Sequence, residues 1–137
     1  MKIEINNTTK SKVDFDFVKK VTEEFLRKYK KTTYEVSIGI VGDAAMRKLN
    51  KTYRKTDKPT DVLTFSGEEK FLGEIIIDYA QIERQAKKEG HRAKYELAFI
   101  LMHGLLHLVG YDDNTDKKRL EMIKAGEKFL NKLKVKK

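Results

Sequence analysis

The stretch His103-Gly104-Leu105-Leu106-His107-Leu108-Val109-Gly110-Tyr111-Asp112-Asp113 decides how this chain is read. It places two of the chain's three histidines four residues apart and follows them with a glycine and a carboxylate pair. Four residues of α-helix turn through about 400°, so both imidazoles leave one face, one turn apart. That is the spacing at which two nitrogens share a divalent ion, as in the helical H-x-x-x-H half of zinc hydrolases. Gly110 is suited to end the helix in a left-handed turn. The reversed chain then returns Asp112 or Asp113 as a third ligand. Three protein ligands and one open position make a catalytic zinc site rather than a closed structural one.

A competing reading is that the histidines are ordinary core residues. Leu97, Phe99, Ile100, Leu101, Met102, Leu105, Leu106, Leu108 and Val109 crowd the same segment, so the helix is expected to be buried. Two imidazoles in such a setting need compensating partners. Backbone carbonyls could serve, but the H-x-x-x-H-x-x-G-x-x-D pattern supplies a carboxylate as well, and the metal reading is preferred. In the peptidase motif H-E-x-x-H, the residue after the first histidine is the glutamate that moves the proton. Here that position is Gly104, which disfavours peptide hydrolysis.

Working outward, the 137 residues fit one domain, 1–137, and 39% hydrophobic content places it among globular proteins despite 37% charged residues. No apolar run approaches the roughly 20 residues that span a bilayer. Met1-Lys2-Ile3-Glu4-Ile5-Asn6 carries an acid and an amide where a signal peptide needs an unbroken apolar stretch. The absence of cysteine excludes disulfides and thiolate ligands. A cytoplasmic protein without a membrane anchor, holding its metal through nitrogen and oxygen, is the expectation.

The net charge of +9 suits an anionic partner, most naturally nucleic acid, although a lysine-rich solvated surface gives the same balance. Residues 45–60 concentrate Arg47, Lys48, Lys51, Arg54, Lys55 and Lys58 against the single acid Asp57, and the chain from 114 onward is also basic.

Alternation predicts strands over residues 2–6 and 34–41, and short apolar runs predict two more over 62–65 and 71–77. The link Ser66-Gly67-Glu68-Glu69-Lys70 favours an antiparallel hairpin. Helical spacing predicts α-helices from Asp14 to about Lys30, with Asp14 or Asp16 as the cap, and from a capping Asp43 to about Tyr53. Others are expected from a capping Asp78 to about Lys88, from Arg92 to Val109, and from Asp116 to about Leu133. The last should turn Leu120, Ile123, Phe129, Leu130 and Leu133 to the core. Residues 54–61, with the only proline, read as a loop. The sum is an α+β fold, a four-stranded mixed sheet packed against about five helices.

Leu49-Asn50-Lys51-Thr52-Tyr53-Arg54-Lys55-Thr56-Asp57-Lys58-Pro59-Thr60-Asp61-Val62-Leu63-Thr64-Phe65 resembles one signature of the bacterial YbeY family. Leu72-Gly73-Glu74-Ile75-Ile76-Ile77 resembles its second block, and His103 to Asp113 its metal block. The three occur in order and cover essentially the whole chain. The resemblance implies a zincin-like helix carrying the metal site in a metal-dependent endoribonuclease. It also implies cleavage of single-stranded RNA, a part in small-subunit ribosomal RNA 3′-end maturation and ribosome quality control, and the ribosome as partner. A hydrolase of peptide or amide bonds, and a non-catalytic RNA-binding factor with a structural metal, are the alternatives.

The family's metal motif is H-x-x-x-H-x-x-x-x-x-H, and this chain departs from it at the last position, which is Asp113. The resemblance therefore implies His103, His107 and Asp113 as ligands of one divalent ion, expected to be zinc. A carboxylate lowers the site's net charge from +2 to +1 and makes manganese or magnesium more competitive. Arg54 matches the arginine to which the family gives an active-site role, and its guanidinium can grip two phosphate oxygens at once. Arg54, His103 and His107 are thus the expected catalytic set, with water or the RNA 2′-hydroxyl as nucleophile. Asp57, Thr60 and Asp61 read as turn and strand-capping residues, Glu74 stays outside the site, and His91 reads as a surface or capping residue.

Overall fold

The computed structural model describes residues 1–55 and 60–137. The strands are β1 (Lys2–Asn7), β2 (Glu35–Val41), β3 (Val62–Ser66) and β4 (Phe71–Asp78). The helices are α1 (Phe15–Lys28), α2 (Asp43–Arg54), α3 (Tyr79–Glu89), α4 (Ala93–Leu108) and α5 (Asp116–Lys132). The sheet runs β1-β2-β4-β3, with β1, β2 and β4 parallel and β3 antiparallel to β4. The mixed α+β architecture and the 66–70 hairpin are as expected from the sequence.

Helix α4 is the hub. It packs on β3 and β4 and touches α1, α3 and α5. Leu97, Ala98, Ile100, Leu101, Met102, Leu105 and Leu106 are all buried, which is why its sequence is apolar nearly all round. Each fully buried leucine is worth roughly 2 kcal/mol, so the site helix is also the strongest element of the core. On the opposite face of the sheet, among the described residues, α2 is packed, its Met46 meeting Leu63 and Ile76.

One glycine lets α4 approach the sheet. A Cβ at Gly104 would stand 2.9 Å from Ile75 Cγ2 and 3.3 Å from Thr64 Cγ2. A side chain there would push helix and sheet apart. The helix ends as its composition predicts. Gly110 takes φ +104°, its N–H donates to the His107 carbonyl at 3.1 Å, and the Tyr111 N–H donates to Leu106 at 3.0 Å. These paired bonds close the helix and turn the chain back over the two histidines.

Several boundaries differ from the sequence reading. Asp14, not Asp16, caps α1 through the Phe17 N–H, and Asp78 caps α3 through Ala80 and Gln81. Asp43 is not a cap. Gly42 occupies that position, and Asp43 is the first helical residue, paired with Arg84 at 2.7 and 2.9 Å. Arg54 closes α2 rather than opening a loop, and Lys55 follows in a left-handed conformation. The expected loop at Thr56, Asp57, Lys58 and Pro59 lies outside the described residues. Leu120 is 51% exposed rather than in the core, and Met122 is buried in its place. The two positions are about 200° apart on the helix, and Met122 shares the stripe of Gly126, Phe129 and Leu130.

Candidate metal centre

His103 and His107 leave the last turns of α4 on the face that meets the returning chain. Their Nε2 atoms stand 3.1 Å apart, and the rings are nearly perpendicular at 81°. Asp113 Oδ2 lies 3.5 Å from both Nε2 atoms. Among the described residues these three form the one group of histidines and acids able to share an ion, with their donor atoms all within 4.8 Å of one another. Asp112, the other third-ligand candidate, accepts the Asp113 backbone N–H at 2.8 Å through Oδ1. That bond braces the turn that presents Asp113.

The triangle fits a small divalent ion. A tetrahedral centre with bonds of about 2.1 Å holds its donors about 3.4 Å apart, against 3.1, 3.5 and 3.5 Å here. Two imidazole nitrogens and a carboxylate oxygen converging in this way are a donor set that a divalent ion takes. The imidazoles are only about a quarter exposed. Burial holds His103 below its ordinary pKa and the charge of His107 pushes the same way, while Asp113 and Asp61 draw it back up. Desolvation thus favours the neutral ring that a metal ligand must be.

The triad forms one wall of a cleft of about 450 Å³, lined also by Arg54, Thr60, Asp61, Thr64 and Asp112. The structure therefore brings the expected Arg54 into the same cavity as His103, His107 and Asp113. Thr60 and Asp61, read as turn and strand-capping residues, also line the cleft. The Asp61 carbonyl accepts the Asp78 N–H at 3.0 Å, as a strand-starting residue should. Asp57 lies outside the described residues. Glu74 is away from the cleft, its carboxylate accepting from Ser37 Oγ at 3.5 Å. The His91 backbone N–H does cap α3, donating to Ala86 at 3.0 Å. Its side chain is not at the surface. It is 17% exposed and hydrogen-bonded to the buried Glu96.

Comparison with known proteins agrees. Residues 3–134 match the family model described as endoribonuclease YbeY. The chain is 44% identical over 108 residues to a protein named endoribonuclease YbeY from Aquifex aeolicus, covering 75% of this chain and 72% of that one. A protein of the same name from a Nitratiruptor species is 41% identical over 114 residues, covering 81% and 75%. The solution structure of a Thermotoga maritima protein superposes with a TM-score of 0.68 at 30% identity, over 93% of this chain and 86% of that chain. By sequence over nearly its whole length, and by a fold that sets a His-His-Asp cluster at the end of a buried helix, the chain belongs to the endoribonuclease YbeY family.

Proposed function

We propose that residues 1–137 act as one metal-dependent endoribonuclease domain that cuts single-stranded RNA. In this reading His103, His107 and Asp113 hold one divalent ion, zinc, and Arg54 binds the phosphate to be cleaved. Zinc accepts two nitrogens and one oxygen in a tetrahedral set of this size. When bound, the ion polarises a phosphoryl oxygen and acidifies water. The rest falls to the protein. Arg54 offers a planar pair of donors to the non-bridging oxygens, where charge builds as phosphorus becomes five-coordinate. The single observation that carries the proposal is the donor triangle of 3.1, 3.5 and 3.5 Å in a cleft that Arg54 also lines.

The surface supports an RNA substrate. Arg47, Lys48, Lys51, Arg54 and Lys55 are exposed along α2 and its C-terminal end, so the cleft opens beside a cationic ridge that attracts phosphates. Tyr53, 61% exposed and propped edge-on by Phe65 with ring centroids 5.2 Å apart, adds a face on which an unpaired base can stack. Peptide hydrolysis has no support. Gly104 stands where its glutamate belongs, and the contact with Ile75 leaves no room for a side chain there. In the cell the substrate is ribosomal RNA on or near the small subunit, at the 3′ end, and the same activity serves ribosome quality control in the cytoplasm. Among the described residues no helix is long and apolar enough to cross a membrane.

Elemental analysis of the purified chain, joined to cleavage of a single-stranded RNA before and after chelation, tests the proposal. One zinc per chain and cleavage that stops with chelation and returns with zinc are expected. A chain that binds RNA but cuts none when loaded with metal would overturn it.

A further inference from the structure

Gly104 removes the residue that would take the nucleophile's proton in the peptidase motif, so another base must come from elsewhere on the cleft wall. Among the described residues three carboxylates line the cleft: Asp61, Asp112 and Asp113. Asp113 completes the donor triangle. Asp112 is exposed and holds the turn through the Asp113 N–H. Asp61 remains. It is half-buried at the entry to β3, and its charge reaches His103, whose basicity it raises.

Asp61 is bonded by a residue that does not itself line the cleft. Gln85 Nε2, from α3, donates to Asp61 Oδ2 at 3.4 Å and to Glu96 Oε2 at 2.9 Å. Its Oε1 accepts from Gln81 Nε2 at 3.0 Å. The amide is thereby fixed in orientation, with both hydrogens committed to carboxylates and its oxygen already occupied. Glu96, 6% exposed, uses its other oxygen on His91. Thr60 Oγ1 stands 3.5 Å from Asp61 Oδ1. One neutral amide thus bridges two like-charged groups and ties the cleft carboxylate to the buried pair behind it. Such backing keeps a catalytic side chain in one rotamer.

We propose that Asp61 is the proton acceptor of the cleavage step and that Gln85, backed by Glu96 and His91, is the residue that positions it. The assignment rests on the endoribonuclease reading above. As the oxygen of the attacking hydroxyl, from water or the ribose 2′ position, forms its bond to phosphorus, its proton passes to the Asp61 carboxylate. The bond from phosphorus to the leaving ribose oxygen breaks with its electron pair, and that oxygen takes a proton from solvent. The neutral Asp61 carboxyl then returns its proton to solvent, so no oxidant, reductant or further reactant is required.

The test compares wild type with Asp61→Asn, Asp61→Ala and Gln85→Met, all zinc-loaded. Metal content and metal affinity are measured by elemental analysis and calorimetry, and RNA affinity by binding to the chelated, inactive protein. Asp61→Asn should keep one metal per chain and bind RNA as wild type does, while kcat falls by about 10²- to 10⁴-fold, the range of a lost general base. Formate added to Asp61→Ala should restore at least about tenfold of the loss by filling the vacated carboxylate position, a gain that a purely structural defect does not show. Gln85→Met keeps side-chain length without a donor. It should lower kcat by about tenfold at unchanged KM, as expected when a hydrogen bond to a charged group is removed. Full cleavage by Asp61→Asn, loss of metal in that variant, or no recovery with formate each overturns the assignment. If loaded wild type itself cuts no RNA, the endoribonuclease reading falls and this assignment with it. If wild type cuts and Asp61→Asn cuts equally, only the assignment falls.

Discussion

His103 and His107 point Nε2 at Nε2 across 3.1 Å, so at least one of these nitrogens carries no proton. Either one ring donates its N–H to the other, or both lone pairs face one space with Asp113 Oδ2 at 3.5 Å from each nitrogen. In the second arrangement a single cation takes all three donors at once. His103→Ala and His107→Ala should each reduce zinc from one per chain to near zero by elemental analysis while leaving the far-ultraviolet circular dichroism unchanged. Both rings sit at the rim of the core rather than within it. Saturating zinc, at about 100 times its dissociation constant, should stabilise wild type by about 2.7 kcal/mol and neither variant at all. Asp113→Ala should behave like the histidine variants, and Asp112→Ala should keep its metal.

Arg54→Lys separates charge from shape. The ammonium preserves the positive charge but loses the paired donors that match two phosphate oxygens. Removing a charge-assisted hydrogen bond costs about 1.5–3 kcal/mol, so kcat/KM on a single-stranded RNA should fall by roughly 10- to 100-fold with metal content unchanged. Cleavage at the wild-type rate would take Arg54 out of the catalytic set.

The contact at Gly104 predicts an effect opposite to helix propensity. Alanine in a helix interior is favoured over glycine by about 1 kcal/mol, but here its Cβ would meet Ile75 Cγ2 at 2.9 Å. Overpacking of this kind costs about 1–3 kcal/mol. Gly104→Ala should therefore lower the thermal midpoint by a few degrees, and Gly104→Glu by more. Neither should acquire peptidase activity in a casein assay.

Asp78 makes a pH prediction. It has no exposed surface, and burial, with the Asp43 carboxylate beside it, raises its pKa to about 7. Between pH 4 and 7 the folded chain holds this proton and the unfolded chain has released it, so the native state binds more protons and stability falls as pH rises. Asp43 works in the other direction, since its hydrogen bond to Arg84 lowers it to about 2. Its contribution is present above pH 4 and disappears only as the pH falls through about 2. Asp78→Asn retains a cap for α3 and should abolish the decline between pH 4 and 7, making the variant more stable than wild type near neutrality in thermal melts. Parallel melting curves for both proteins across this range would refute the raised value.

The parts of this molecule that are legible in the sequence are those where one local rule acts alone. The histidine interval, the left-handed Gly110, the Asp14 and Asp78 caps and the 66–70 hairpin each follow from a few neighbouring residues, and each is found. The hidden parts depend on partners far along the chain. Asp43 has the composition of a cap, but Arg84, 41 residues later, claims its carboxylate. Leu120 looks apolar enough for the core until the stripe of Met122, Gly126 and Phe129 fixes the helix rotation. Asp61 reads as a turn residue because its partner Gln85 sits on another helix and is itself bonded to Glu96 on a third element. A polar cluster assembled from three elements leaves no spacing signal.

The two nitrogen donors ride on α4, the most deeply packed helix, while the oxygen donor sits on the turn beyond Gly110, where Tyr111 and Asp112 are exposed. In the proposed site two donors are therefore fixed by core packing and the third by a surface turn alone. Release of an ion should then proceed by swinging Asp113 aside, and a proline or disulfide that stiffened that turn should slow both loading and release without touching a single donor.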